Sequence, residues 1–220
     1  MPDVSTAQDL AARIPNARLM LLEGTVAGWD LPPRAATAIA EFLGDTPRDA
    51  FETPGAGAPL TILFTDMEDS TSLTQRLGDA QAQELVHAHN TIVRNALQAR
   101  GGSEIKHTGD GIMASFPSAS SAVECAIAIQ RDVAEHNDAN LRVHIGVNAG
   151  EPLAEDGDLF GTAVQLARRI CDYAGAGDIL VADVVRQLAA GKGFQFDDRG
   201  EVALRGFEEP AHLYEARWRA

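Results

Sequence analysis

From residue 60 onward the chain alternates short β-type runs with helical periods in one order: strand, helix, strand, strand, helix, strand. Residues 60–64 form an apolar run. Residues 71–100 set Leu85, Ala88, Ile92, Ala96 and Ala99 on one helical face, with Gly78-Asp79 as a candidate break and Gly101-Gly102 as a stop. Residues 103–107 and 112–116 read as two strands joined by the tight turn Thr108-Gly109-Asp110-Gly111. A helix over 118–136 aligns Ala119, Ala122, Ala126, Ile129 and Val133, and residues 141–147 alternate as a half-buried strand. This order predicts an α+β fold with a ferredoxin-like βαββαβ sandwich core, its sheet backed by helices on one face. A third helix over 160–173 turns Val164, Ala167, Ile170, Cys171 and Ala174 inward. A strand at 179–181, a short helix over 183–190 and strands near 194–204 and 211–217 complete the sequence pattern.

The Pro/Gly-rich stretch 53–59 reads as a linker between residues 1–52 and a larger domain at 60–220. With 45% apolar residues the composition is that of a globular protein, and no apolar run reaches the ~18–20 residues of a membrane span. The first residues lack the basic region of a signal peptide, and Cys125 and Cys171 have no metal-ligand spacing, so we expect reduced thiols in a cytoplasmic protein with no membrane insertion. The formal charge of −14 argues against a nucleic-acid partner. It also means that any triphosphate substrate must be held by metal ions and a few placed cations. Of 18 cations 16 are Arg; one of the two Lys, Lys106, stands beside an acidic motif.

Two acidic stretches carry the chemistry. In Phe64-Thr65-Asp66-Met67-Glu68-Asp69-Ser70-Thr71 and in Lys106-His107-Thr108-Gly109-Asp110-Gly111, a carboxylate stands where an apolar strand ends. Neighbouring strands would bring Asp66 and Asp110 to one edge of the sheet. Such a pair suits Mg²⁺, which keeps one or two carboxylates plus substrate phosphates. The backbone from Glu68 to Thr71 enters a helix, where free N–H groups can receive phosphate oxygens. Each residue has a plainer reading: a helix cap for Asp66, a turn residue for Asp110, a salt bridge from Lys106 to Asp110 four positions on.

The motifs in combination resemble the catalytic domain of class III nucleotidyl cyclases over residues 58–218. The resemblance implies conversion of ATP to 3′,5′-cyclic AMP and pyrophosphate, with two Mg²⁺ or Mn²⁺ ions per site held by Asp66, Asp110 and the Met67 carbonyl. It implies that Lys106 and Asp158 select adenine: an ammonium donates to N1, a carboxylate accepts from the N6 amino group, and guanine would leave both unpaired. Arg169 matches the family arginine on the reacting phosphate. Gln165 stands where the family has an asparagine that holds the ribose, and Arg205 stands in place of a lysine that binds the terminal phosphates. Glu68, Asp69, Ser70 and Thr71 would line the phosphates. Because the family draws its metal carboxylates from one subunit and the remaining groups from the other, the resemblance implies a head-to-tail, two-fold homodimer. A guanylate cyclase and a catalytically weak nucleotide-binding regulatory module are the alternatives.

Residues 11–24 and the helical stretch 34–43 resemble the end of an α/β-hydrolase, which makes residues 1–52 a β/α appendage. No histidine follows Gly24 within Thr25-Val26-Ala27-Gly28-Trp29-Asp30, and the chain has no Gly-x-Ser-x-Gly elbow, so hydrolase chemistry is not expected.

Overall fold

The computed structural model describes residues 58–136 and 141–219. The hydrolase-like reading of residues 1–52 and most of the 53–59 linker lie outside the described residues.

Strand β1 (Leu60–Met67) is followed by helices α1 (Ser70–Leu77) and α2 (Asp79–Arg100), the hairpin β2 (Ser103–His107) and β3 (Gly111–Phe116), and helix α3 (Ala119–Glu135). Then come β4 (Val143–Gly150), a small hairpin β5 (Leu153–Glu155) and β6 (Asp158–Phe160), and helix α4 (Thr162–Tyr173). The chain continues with β7 (Ile179–Ala182), α5 (Asp183–Leu188), β8 (Phe196–Val202) and β9 (Ala211–Ala216). The main sheet has the order β2-β3-β1-β4-β7-β9-β8. Its first four strands are the expected ferredoxin-like set, with β1 antiparallel to both β3 and β4. Helix α4 lies on the crossover that makes β7 parallel to β4.

All eight residues of β1 and all six of β3 are buried, so the central strands are covered on both faces. This corrects the expectation of helices on one side only. Leu63 and Met67 pack with Leu85, Val93, Ala122 and Ile129 of α2 and α3. On the opposite face Asp66 bonds to Arg168 of α4. Successive side chains of a strand point to opposite faces, and a short strand between two helical layers must satisfy both.

Several boundaries were legible. Gly78, at φ 82°, separates α1 from α2, and Gly101, at φ 69°, ends α2 in the left-handed conformation. Ser118 caps α3, accepting from the Ser121 N–H, and all five aligned residues of that helix are buried. Three readings are corrected. Phe160 belongs to β6, and α4 starts at Thr162. The β5–β6 hairpin was not foreseen, because three-residue strands carry too little pattern to register. The inner face of α2 is Ala82, Leu85, His89, Asn90, Val93, Ala96 and Leu97, whereas Ala99 is exposed. The apolar pattern misplaced that face because two of its buried residues are polar.

Candidate active site

Antiparallel pairing opposes Asp66 of β1 to Gly111 of β3, and the Met67 N–H donates to the Asp110 carbonyl at 3.2 Å. The two expected carboxylates therefore meet. A Cβ at position 111 would lie 2.1 Å from the Thr65 carbonyl oxygen and 3.0 Å from Asp66 Oδ1, so only glycine lets β3 approach β1 at this point. The Ser70 hydroxyl, at the start of α1, donates to Asp110 Oδ2.

The electrostatics of the pair are those of two carboxyls sharing one site. Burial, followed by the adjacent Asp110 carboxyl, raises the Asp66 pKa to about 6 against the opposing pull of Arg168. Burial pushes Asp110 upward too, but the hydrogen bond from Ser70, with the neighbouring Asp66 carboxyl and the Arg168 charge, outweighs it and holds that group below its ordinary value. Asp66 Oδ1 is buried with no hydrogen-bond partner. Among the described residues no group of three or more His, Cys, Asp or Glu could form a metal cage by itself. Two carboxylates with an orphaned buried oxygen do fit a hard divalent cation that takes its other ligands from water and phosphate.

Beneath this pair runs a relay that is buried at Thr65, His89 and Asn90 and reaches the surface at His107. Thr65 Oγ1 lies 3.1 Å from His89 Nε2, His89 Nδ1 lies 3.1 Å from Asn90 Oδ1, and His107 Nε2 lies 3.2 Å from the same oxygen. The Gly109 N–H donates to His107 Nδ1 at 3.3 Å, which makes His107 Nε2 the donor to Asn90. Asn90 Oδ1 then also accepts from His89 Nδ1–H, leaving His89 Nε2 to accept from the Thr65 hydroxyl. Thr65 Oγ1 accepts in turn from the Ile112 N–H at 3.1 Å. The relay ties the strand under Asp66 to the turn that carries Asp110.

Lys106 and Asp158 also meet, from β2 and β6: Lys106 Nζ is 2.5 Å from Asp158 Oδ2 and sits over the Phe160 ring. The alternative pairing of Lys106 with Asp110 is not the observed one. Burial raises the Asp158 pKa, but hydrogen bonds from Lys106 and from the Leu159 N–H outweigh it, so the carboxylate is held low.

The remaining expected residues are scattered. Glu68 differs from expectation: its N–H donates to the Arg142 carbonyl at 2.9 Å and its side chain pairs with Arg142, so that amide is not open to a phosphate. Asp69 adopts a left-handed backbone (φ 52°, ψ 33°) and no side chain caps α1, which leaves the first turn at Ser70 and Thr71 as the anion-facing part. Arg169 pairs with Asp172 at 2.8 Å, one turn along its own helix. Gln165 and Arg205 are exposed, and among the described residues Arg205 forms no ion pair.

Sequence reasoning missed Arg168. Its Nη2 reaches Asp66 Oδ2 at 2.8 Å and its Nε reaches Asp172 Oδ1 at 2.8 Å. The signal was present: positions 164, 168 and 171 form one helical line, so Arg168 falls on the buried stripe with Val164 and Cys171. A cation there must find a buried carboxylate. His144, opposite Asp66 in the β1–β4 register, was also missed; its Nε2 lies 4.0 Å from Asp66 Oδ2. Helix α4 comes this close because Gly146 of β4 admits it: a Cβ there would lie 2.2 Å from the Cys171 nitrogen.

Residues 56–215 match the family described as the adenylate and guanylate cyclase catalytic domain, and the chain belongs to that family. A Rhizobium meliloti protein is 36% identical over 159 residues, which is 70% of this chain and 27% of that protein. An adenylate cyclase of Streptomyces coelicolor is 32% identical over 122 residues, 56% of this chain and 32% of that enzyme. The chain thus spans well under half the length of these relatives. Among solved structures, an adenylate/guanylate cyclase/hydrolase from Silicibacter pomeroyi is 28% identical with a TM-score of 0.65, covering 73% of this chain and 96% of that one. The adenylyl cyclase CyaB from P. aeruginosa shares the fold at 22% identity and a TM-score of 0.65, covering 74% and 95%.

Proposed function

We propose that residues 60–220 form an adenylate cyclase catalytic domain, turning ATP into 3′,5′-cyclic AMP and pyrophosphate in sites shared between two copies of the chain in a head-to-tail, two-fold dimer. The observation that carries this reading is the pairing of Lys106 with Asp158 at 2.5 Å. An ammonium and a carboxylate side by side match the N1 acceptor and N6 donor of adenine; guanine offers a donor and an acceptor in the reverse order.

Asp66, Asp110 and the Met67 carbonyl would hold two divalent ions, Mg²⁺ or Mn²⁺. When bound, such ions lower the pKa of the ribose 3′-hydroxyl and neutralise the leaving phosphates. The chain's own residues do the remaining work. Ser70 orients Asp110 through its hydroxyl, and the first-turn N–H groups of α1, from Asp69 to Thr71, receive phosphate oxygens. From α4 of the other copy, Arg169 offsets charge on the α-phosphate as the 3′-oxygen attacks in line, and Gln165 holds the ribose. Arg205 binds the terminal phosphates with a planar fork of donors. Within its own chain Arg169 pairs with Asp172 and not with Asp66.

The test is complementation. Asp66→Ala and Lys106→Ala proteins, each inactive alone, are mixed and assayed for cyclic AMP. Random pairing of the two should restore about a quarter of wild-type activity, since half the dimers then carry one intact site out of two. No recovery, with both variants folded and dimeric, excludes the shared site. Faster turnover of GTP than of ATP overturns the adenine assignment. Gln165, in place of the family's asparagine, favours a second reading as a nucleotide-binding regulatory module. ATP binding without cyclic product, unrescued by Gln165→Asn, would establish that module.

A further inference from the structure

Asp66 is not an open metal ligand in its own chain. One oxygen, Oδ2, accepts from Arg168 Nη2 at 2.8 Å, and the other is buried without a partner. The guanidinium is half-buried, is permanently charged and cannot leave by losing a proton. It also has a second anchor: Arg168 Nε reaches Asp172 Oδ1 at 2.8 Å, while the other oxygen of Asp172 serves Arg169. The Phe64 ring, on the same face of β1 as Asp66, lies 5.8 Å from the Arg168 guanidinium carbon and offers it an apolar, cation-tolerant surface.

We propose that Arg168 is a resident counter-ion that competes with divalent cations for Asp66 and so sets the metal affinity of the site. This rests on the reading of Asp66 and Asp110 as the metal carboxylates. The two occupants exclude one another in degree. A guanidinium and a divalent ion on the same carboxylate repel strongly where water is scarce, and both draw on the same lone pairs. Asp172 makes the exchange reversible. When a metal ion takes Asp66, Arg168 stays tethered by its i, i+4 partner and turns from a two-carboxylate hold to a one-carboxylate hold. The carboxyl pair is thereby kept from standing as two adjacent unpaired charges before metal and nucleotide arrive. Arg168 is a positioning residue on this account; its neighbour Arg169 retains the role toward the nucleotide.

The test measures Mn²⁺ binding to the full chain without nucleotide, from the free-ion electron paramagnetic resonance signal. Arg168→Gln, which keeps a donor and removes the charge, should bind Mn²⁺ about tenfold more tightly than wild type. Arg168→Lys should stay near wild type. Asp172→Asn should bind Mn²⁺ more weakly, because Arg168 then has Asp66 as its sole carboxylate. A merely structural role for Arg168 predicts weaker binding in Arg168→Gln, and that result, or no change with the variant's thermal melting preserved, overturns the proposal. If Arg168→Gln does not fold, the Asp172→Asn arm decides alone: unchanged or tighter binding overturns the proposal. Asp66→Asn separates the two levels of argument. If it leaves Mn²⁺ binding intact, the metal site itself is misassigned; if it abolishes binding while Arg168→Gln does nothing, only the competition fails.

Discussion

His89 shows how a single buried titratable group constrains conditions for the whole site. Fully enclosed between β1 and α2, it accepts from Thr65 and donates to Asn90, and burial lowers its pKa to about 4. In the unfolded chain the ordinary value is about 6.5. Between those two values the unfolded chain binds a proton that the folded chain refuses, so stability falls as pH drops from about 6.5 toward 4. His144, also lowered by burial, acts in the same sense, whereas the raised Asp66 acts in the opposite sense between about 4 and 6. The comparison that isolates His89 is therefore wild type against His89→Gln. Their stability difference should shrink by up to about 3 kcal/mol between pH 7 and pH 4, read by urea denaturation. A constant difference across that range means His89 is not the neutral buried group described. Gln165 carries a second prediction at this scale. Its extra methylene displaces the amide, so Gln165→Asn should raise kcat on the order of tenfold or more with little change in KM. Unaltered kinetics would remove Gln165 from the ribose contact.

Elements bring these residues together through close approaches that glycine alone allows. Gly111→Ala forces a methyl against the Thr65 carbonyl at 2.1 Å, and Gly146→Ala forces one against the backbone of α4 at Cys171. Each should cost roughly 1–3 kcal/mol, a fall of several degrees in Tm. Because Asp110 lies in the turn just before β3 and α4 carries Arg168, both variants should lose activity as well as stability. Substitution without thermal destabilisation would show that strand and helix can yield at these points. In the sequence Gly111 could be read only as a turn residue and Gly146 only as part of a strand, since a close packing contact has no local signature. Helix boundaries fared better: Ser118, Gly78 and Gly101 act through the backbone of their own segment, and all three mark observed ends. The face of α2 escaped because His89 and Asn90 are buried by hydrogen bonds to partners 24 and 17 positions away.

At the scale of the molecule, the reading predicts behaviour that no single chain would show. An excess of Asp66→Ala protein should leave the activity per wild-type chain unchanged, because each mixed dimer keeps one complete site. An excess of the double variant Asp66→Ala/Lys106→Ala should drive it toward zero, because neither site of a mixed dimer is then complete. Equal effects of the two additives in a cyclic AMP assay would rule out sharing between copies. The chain's charge of −14 makes placed cations scarce, so each one near the carboxylates matters to substrate and metal alike. The order of elements and the carboxylate-bearing turn were determined by the sequence, through local periodicity and turn chemistry, whereas Lys106 and Asp158 were linked only by the family resemblance and not by any local pattern. Tertiary structure alone decided that the central strands are covered on both faces. It alone decided that His89 is interior, and that Arg168 rather than Arg169 meets Asp66. The physical reason is common to all three. Which carboxylate a cation finds, and which polar group is hidden, depends on strands and helices distant in the chain packing within hydrogen-bonding range. A linear pattern records the donor and the acceptor but not their meeting.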